Sequence, residues 1–187
     1  SEAALLGNNL VSHFGGRVIN ADVLDTAHGL AGFEFPGDFD LVVSLSALDW
    51  NLSVIENVQA AWALVKDGGH LLISVGLHDS SCVLDIAESF QPTTPEGLDT
   101  TEIAPYVVIS ATSAVNFVRD LGAASVTVFG AVGTPSPTAI TSVDECIFAV
   151  AVLKKNSASS TTEFDIKSPS ELREIVDSVL LDAIVRD

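Results

Sequence analysis

Two short apolar runs of strand length, with a helical pattern between them, constrain the fold of this chain most. The first run is Phe39–Leu45 (FDLVVSL) and the second is His70–Val75 (HLLISV). Between them, Ser53–Lys66 carries apolar residues at helical spacing and ends at Asp67-Gly68-Gly69, where glycine can adopt the left-handed turn that follows a helix. Near-continuous apolar strands are typical of parallel sheets covered on both faces. Residues 39–75 therefore predict a strand–helix–strand unit with a right-handed parallel crossover.

The composition narrows the class of protein further. The 187 residues suit one domain, and a hydrophobic content of 48% is enough to bury a core. The formal charge is −17, from 25 acidic and 8 basic residues, which disfavours binding to nucleic acid or to an anionic membrane. Because no apolar run could cross a bilayer and no secretion signal opens the chain, we expect a cytoplasmic domain. Cys82 and Cys146 are too few for a disulfide framework, and we expect both to be buried thiols.

The rest of the α/β pattern consists of short elements. Ser1–Phe14 predicts a helix with one apolar stripe, formed by Leu6, Leu10, Val11 and Phe14. Ser125–Phe129 and Cys146–Leu153 predict strands, and the segment rich in Pro, Thr and Ser between them allows an antiparallel pair. The remaining predictions are a strand over Arg17–Asn20, loops over Asp22–Gly37 and Gln91–Pro105, and a helix over Thr112–Leu121 that ends at Gly122.

The residue pattern at the end of the chain predicts a linker over residues 156–167 and an amphipathic helix over residues 168–187. The linker is rich in small polar residues (NSASSTT). Ser168 is the expected helix cap, with Pro169 in the first turn and Glu171 as the acid of a capping box. The apolar stripe of this helix could pack on the sheet, on a second copy or on a neighbouring domain.

Three segments, taken in order, resemble the class I S-adenosylmethionine-dependent methyltransferases over residues 1–155. Asn20-Ala21-Asp22-Val23 is similar to the end of that family's third strand, Phe39–Leu45 to its fourth, and Leu64–Val75 to the glycine turn and fifth strand. Val126–Leu153 is then similar to its last two strands. The resemblance implies an α/β, Rossmann-like sheet that is mostly parallel with one antiparallel strand, and S-adenosylmethionine as the cofactor.

The family's first strand and its G-x-G-x-G loop have no counterpart before the match to the third strand. In such sites the glycines allow close backbone approach to the ligand, and an acid after the second strand binds the ribose. The sequence therefore predicts an incomplete cofactor site, with weak or absent binding by this chain alone. It is similar also to the shortened, inactive methyltransferase-like domains of fatty acid and polyketide synthases. Two functions follow: methyl transfer to a small molecule once the site is completed, or a non-catalytic scaffold or interaction domain.

The resemblance also implies site residues. Asp22 and Val23 correspond to the region near the cofactor's adenine, and Ser44 and Leu45 lie at the carboxyl end of a buried strand, where open α/β sheets bind ligands. Asp49 and Trp50 correspond to residues that line the substrate. Ordinary loop acids, strand-end packing and a tryptophan over the core are the alternatives.

His78, just past the fifth strand and next to Asp79, is the candidate general base. The alternative is a surface or capping histidine. His13, His28 and His70 lack ligand spacing with any cysteine or carboxylate, so we predict no metal site. The chain also lacks a G-x-S-x-G elbow and a phosphate loop, which argues against hydrolases and nucleotidases.

Without the family's first strand, the apolar segment Leu41–Leu45 would present an open sheet edge, which proteins rarely leave uncovered. We expect a cover from a second copy, from the N-terminal segment with Val18 and Ile19, or from the C-terminal helix. A homodimer is the simplest of these arrangements.

Overall fold

The computed structural model describes residues 39–46, 50–80, 82–92 and 103–186, with side chains as far as residue 181. The helix predicted over Ser1–Phe14, the strand over Arg17–Asn20 and the loop over Asp22–Gly37 lie outside these residues. In chain order the described elements are β1 (Phe39–Ser44), α1 (Val54–Leu64), β2 (Val65–His78), β3 (Phe90–Pro92), β4 (Ile103–Pro105), β5 (Val108–Ser110), α2 (Ala111–Asp120), β6 (Ala123–Gly133), β7 (Cys146–Lys155), β8 (Glu163–Ile166) and α3 (Ser170–Arg186).

One mixed sheet organises the described residues. Its strand order is β1-β2-β7-β6-β8, and β5 pairs with the last residues of β2. β1 and β2 are parallel neighbours, whereas β7 runs antiparallel to both β2 and β6. Since β8 is parallel to β6, β7 alone runs against the other strands of this sheet. The predicted α/β, Rossmann-like sheet, mostly parallel with one antiparallel strand, is therefore confirmed.

The junction between α1 and β2 differs from the prediction. The helix ends at Leu64 and the strand begins at Val65, so Asp67-Gly68-Gly69 lies inside β2 and does not separate the two elements. The register shifts there, from Phe39↔Val65 to Leu41↔His70. This bulge accommodates the glycines while the residues of β2 on both sides of it, Val65 and His70, stay paired with β1.

Three more corrections concern strands. The ends of the loop predicted over Gln91–Pro105 pair as β3 and β4 in a separate two-stranded sheet. The sequence analysis did not predict β5. β6 continues to Gly133, beyond the predicted end at Phe129, because its partner β7 offers a continuous ladder as far as Cys146. Such pairings join residues distant in sequence, and local patterns do not report them.

The C-terminal segment also differs in detail. The predicted linker, residues 156–167, contains the paired strand β8. α3 begins at Ser170, so Pro169 and not Ser168 immediately precedes it. The Ser168 hydroxyl instead donates to the carbonyl of Gly130 at 2.9 Å and accepts from the Gly130 N–H at 3.3 Å. The amphipathic stripe is confirmed, since Leu172 and Val176 are buried in the core.

The core lies between one face of the sheet and the three described helices. Buried side chains from β2 and β7 meet those of α1, α2 and α3 in one cluster, whose members include Val58, Leu71, Val115, Leu153 and Leu172. Successive strand residues point to opposite faces, so half of each strand faces away from this cluster. None of the described helices is long and apolar enough to span a membrane.

The prediction that β1 is covered on both faces is wrong for the described residues. Leu41 is 54% exposed and Val43 is 51% exposed, because the described helices pack on the opposite face of the sheet. The C-terminal helix does not cover the β1 edge, since α3 packs with α2 and with β8 at the other end of the strand order. Cover by a second copy or by the N-terminal segment stays a prediction.

Candidate functional site

The carboxyl end of β1 leads into a constrained turn. Ser44, the last residue of the strand, is half-buried, and Leu45 is exposed. Ser46 has a positive φ of 51°, and its backbone N–H donates to the Ser74 hydroxyl of β2 at 2.6 Å. A non-glycine residue in the left-handed region is uncommon, and such residues cluster at functional sites. The sequence analysis missed Ser46 and Ser74, although a serine inside the apolar run HLLISV is a polar signal in a buried strand.

Trp50 follows β1 and precedes α1. Its side chain is 39% exposed, so it does not form the closed cover over the core that was the alternative reading. The neighbouring Asn51 side chain accepts from the N–H of Ser53 at 2.9 Å, which shapes the chain before α1. Asp49, the other predicted substrate residue, lies outside the described residues, as do Asp22 and Val23.

His78 and Asp79 form a pair at the end of β2. The Nδ1 atom of His78 lies 2.6 Å from Oδ1 of Asp79, and the imidazole is 25% exposed. Ser80 donates to the same carboxylate from its hydroxyl at 2.9 Å and from its backbone N–H at 2.6 Å. These two hydrogen bonds hold the pKa of Asp79 below its ordinary value. The backbone N–H of Ser80 also donates to Nδ1 of His78 at 3.2 Å, so the Asp79 carboxylate and the Ser80 backbone both orient the imidazole from its Nδ1 side.

An acidic crevice adjoins this pair. One cavity of about 170 Å³ is bounded by His78, Asp79 and Glu171, with six further residues of β2, β6, β7 and α3 and the segment before β7. A second cavity, of about 450 Å³, shares Asp79 and Glu171 with it and adds Glu174. The lining residues include four carboxylates and no Lys or Arg. The field in this crevice therefore favours neutral or cationic ligands over anions.

The two cysteines occupy different environments. Cys146 borders the smaller cavity and is buried, and burial raises the pKa of its thiol. Because the thiolate is the reactive form, Cys146 is a poor nucleophile. Cys82 is exposed, so the prediction that both thiols are buried is wrong for this residue. Among the described residues, no group of three His, Cys, Asp or Glu side chains could hold a metal ion.

The structure separates the predicted base from the carboxyl end of β1. Ser46 bonds to Ser74, and His78 lies four residues further along β2, which corresponds to about 13 Å along an extended strand. A ligand in contact with both parts of the site would have to span this distance.

Ser44, Ser46 and Ser74 lie at the carboxyl end of β1 and beside it on β2, the end at which open α/β sheets bind ligands. The sequence contains no G-x-G motif, which in such sites lets the backbone approach the ligand closely. The described residues therefore provide groups for one side of an S-adenosylmethionine site, at the end of β1, and no glycine loop for the other side.

A scan against protein-family models matches no family, and a search of curated proteins finds no relative. Solved structures of methyltransferases do match. An O-methyltransferase family protein from Burkholderia thailandensis is 20% identical, with a TM-score of 0.45, over 84% of this chain and 41% of that one. An S-adenosylmethionine-dependent methyltransferase from Methanosarcina mazei is 14% identical, with a TM-score of 0.45, over 73% of this chain and 65% of that one.

A third match is the 1,6-didemethyltoxoflavin-N1-methyltransferase of Burkholderia thailandensis, solved with S-adenosylhomocysteine bound. It is 16% identical, with a TM-score of 0.47, over 80% of this chain and 56% of that one. In all three cases the chain spans less than two thirds of the length of the protein that it matches.

Proposed function

We propose that this chain is an S-adenosylmethionine-dependent methyltransferase-like protein with an incomplete cofactor site, which transfers a methyl group to a small molecule once groups outside this chain complete the site. The observation that supports the proposal is the strand order β1-β2-β7-β6, with β7 as the antiparallel strand. This is the arrangement that the resemblance implies for the last four strands of the family. Parallel strands of such a sheet bind ligands at their carboxyl ends.

In this proposal different residues of the chain bind the cofactor, bind the acceptor and take its proton. Ser44 and Leu45, together with Asp22 and Val23, hold the cofactor, which supplies an electrophilic methyl group when bound. Asp49 and Trp50 line the acceptor. His78 takes the proton of the acceptor at Nε2, while Asp79 holds Nδ1. Methyl transfer depends mainly on alignment of the acceptor with the methyl group, so positioning by these residues supplies much of the rate.

A non-catalytic scaffold or interaction domain is the second candidate. The separation of about 13 Å between the Ser46–Ser74 contact and His78 favours it, because a base and a cofactor site must converge on one reacting atom. The described residues also hold one wall of the nucleoside site only. In this reading the domain keeps the fold, and its role is to contact a neighbouring domain, as in a multidomain synthase.

Calorimetric titration of S-adenosylmethionine and of S-adenosylhomocysteine into the 187-residue chain tests the proposal. We expect weak one-to-one binding at millimolar ligand, which Ser44→Ala weakens further because the half-buried hydroxyl at the end of β1 is lost. Ser125→Ala is the matched control, a half-buried serine near the start of β6, and should leave the titration unchanged. A titration without heat supports the scaffold. Binding that both variants weaken alike contradicts the placement of the cofactor at Ser44.

A further inference from the structure

A cavity of about 70 Å³ lies between the sheet and the helices of the described part of the chain. Its lining comes from all three of these helices and from β2, β5, β6, β7 and β8. Every lining residue is Val, Ile, Leu, Ala or Phe, so no side chain presents a polar atom to this space. Leu77 borders both this cavity and the acidic crevice at His78, and the two spaces are otherwise lined by different residues.

Small residues on β7 and α2 leave this space unfilled. Ala149 and Ala151 belong to β7, the middle strand of the sheet, and both are buried in the core. Ala111 and Ala114 border the cavity from α2. Protein interiors contain few voids larger than a water molecule, because side chains interdigitate. Alanine side chains on both the strand and the helix are too short to meet across the gap.

Water gains little from entering this cavity. A buried water needs about two to four polar partners, whereas the backbone groups of the lining strands pair with each other along the β2–β7 and β6–β7 ladders. An engineered apolar cavity of about 150 Å³ stays dry and binds benzene or xenon. The cavity here has roughly half that volume, so it has room for roughly three or four carbon atoms or one xenon atom.

We propose that this cavity is a binding site for a small apolar molecule of the size of propane or a xenon atom. The occupant makes the dispersion contacts that the lining side chains otherwise lack. Ile55 on α1 and Phe117 and Val118 on α2 border the cavity and are only partly buried, so the shortest path from solvent passes between these two helices. The inference depends on the cavity alone, and not on cofactor binding or methyl transfer.

The lining also determines which molecules of this size are rejected. A hydroxyl group that enters the cavity loses its hydrogen bonds to water and finds no partner among the lining side chains. Ethanol has as many heavy atoms as propane but carries such a hydroxyl. Propane should therefore bind and ethanol should not, which separates an apolar site from a cavity that merely admits any small molecule.

Methyl NMR spectra of the 187-residue chain under increasing pressures of propane test the proposal. We expect saturable shifts for methyl groups that line the cavity, such as those of Val115 and Val126. The methyl groups of Val83 and Val108, which belong to a separate buried cluster, should not shift. Helium at the same pressures controls for pressure, and ethanol at the same concentration controls for polarity.

Variants that fill the cavity make the test specific. Val126→Ile adds a methylene group from β6 and should abolish the saturable shifts, and Ala114→Val fills the space from α2 if Val126→Ile fails to fold. Val65→Ile is the matched control, because it makes the same change at a buried residue that does not line the cavity. In urea unfolding, propane at a concentration equal to its Kd should roughly double the equilibrium constant for folding of the unmodified chain and of Val65→Ile, but not of Val126→Ile.

Three results would overturn the proposal. The first is the absence of shifts, or shifts that rise linearly with pressure at all apolar residues alike. The second is propane binding that Val126→Ile and Ala114→Val leave intact. The third is an equal response to ethanol, which would mean that the cavity is open to water.

Discussion

Gly69 lies in the bulge of β2, where the backbone of β1 approaches it closely. A Cβ atom at this position would lie 2.9 Å from the carbonyl oxygens of Phe39 and Asp40 and 3.0 Å from that of Lys66. All three atoms belong to the backbone, which cannot move aside as the end of a flexible side chain can. Gly69 is therefore needed for its lack of a side chain, whereas its neighbour Gly68, with a φ of 79° and open space around it, supplies the turn.

We expect Gly69→Ala to lower the free energy of unfolding by about 2 kcal/mol, because the new methyl group has to push the two strands apart. Gly76→Ala is the matched control on the same strand, since its Cβ would meet the Val107 carbonyl at an ordinary 3.6 Å; there the change should stay below about 1 kcal/mol. Urea unfolding of both variants measures the difference. Equal losses would contradict the close approach.

At the scale of elements, Lys155 ties the end of β7 to the end of α1. Its ammonium group donates to the carbonyls of Trp62 at 3.0 Å and Val65 at 2.8 Å, and lies 5.3 Å from the centre of the Trp62 ring. Burial lowers the pKa of this lysine. These contacts hold the Lys155 ammonium group close to the last carbonyls of α1, where the partial negative charge of the helix end favours a cation.

Lys155→Met should therefore destabilise the protein by about 2 kcal/mol, because the variant leaves two carbonyls at the helix end without their charged donor. Lys154→Met removes an equal charge from the adjacent, exposed position, and its cost should remain within about 0.5 kcal/mol. Thermal or urea unfolding of the two variants provides the measurement. Similar losses would mean that net charge, and not the helix-end contact, is responsible.

At the scale of the whole molecule, packing between the layers is incomplete. An apolar cavity of about 70 Å³ lies between the sheet and the helices, bounded among others by Val58, Val115, Val126 and Leu172. The many Val and Ala residues that line it leave space that larger side chains would fill. The side chains that border such a gap lose dispersion contacts on the side that faces it, which lowers the stability without changing the fold.

Val126→Ile adds one methylene group on the cavity side, and we expect it to stabilise the protein by about 0.8 kcal/mol. Val65→Ile makes the same change at a fully buried residue that does not line the cavity, where overpacking should cost about 1 kcal/mol or more. Opposite signs in urea unfolding are the expected result. A loss of stability in both variants would show that the cavity collapses in solution.

The places of Ser44, Leu45 and His78 at the ends of β1 and β2 were predictable, because apolar runs mark where the two strands end. Their roles in binding and catalysis stay predictions. Two features were not predictable: the Ser46–Ser74 hydrogen bond and the separation of His78 from it. The first depends on the register of β1 against β2, which shifts between Phe39 and Leu41. The second depends on how far β2 continues beyond Ser74.

The sequence by itself determined the neighbouring parallel strands, the helix between them and the amphipathic C-terminal helix, because each depends on residues close together in the chain. Only the tertiary structure decided the path of β8, the contact of Ser168 with Gly130 and the difference in exposure between the two faces of the sheet. These depend on pairings across many residues, whose energies become favourable only after the sheet has assembled.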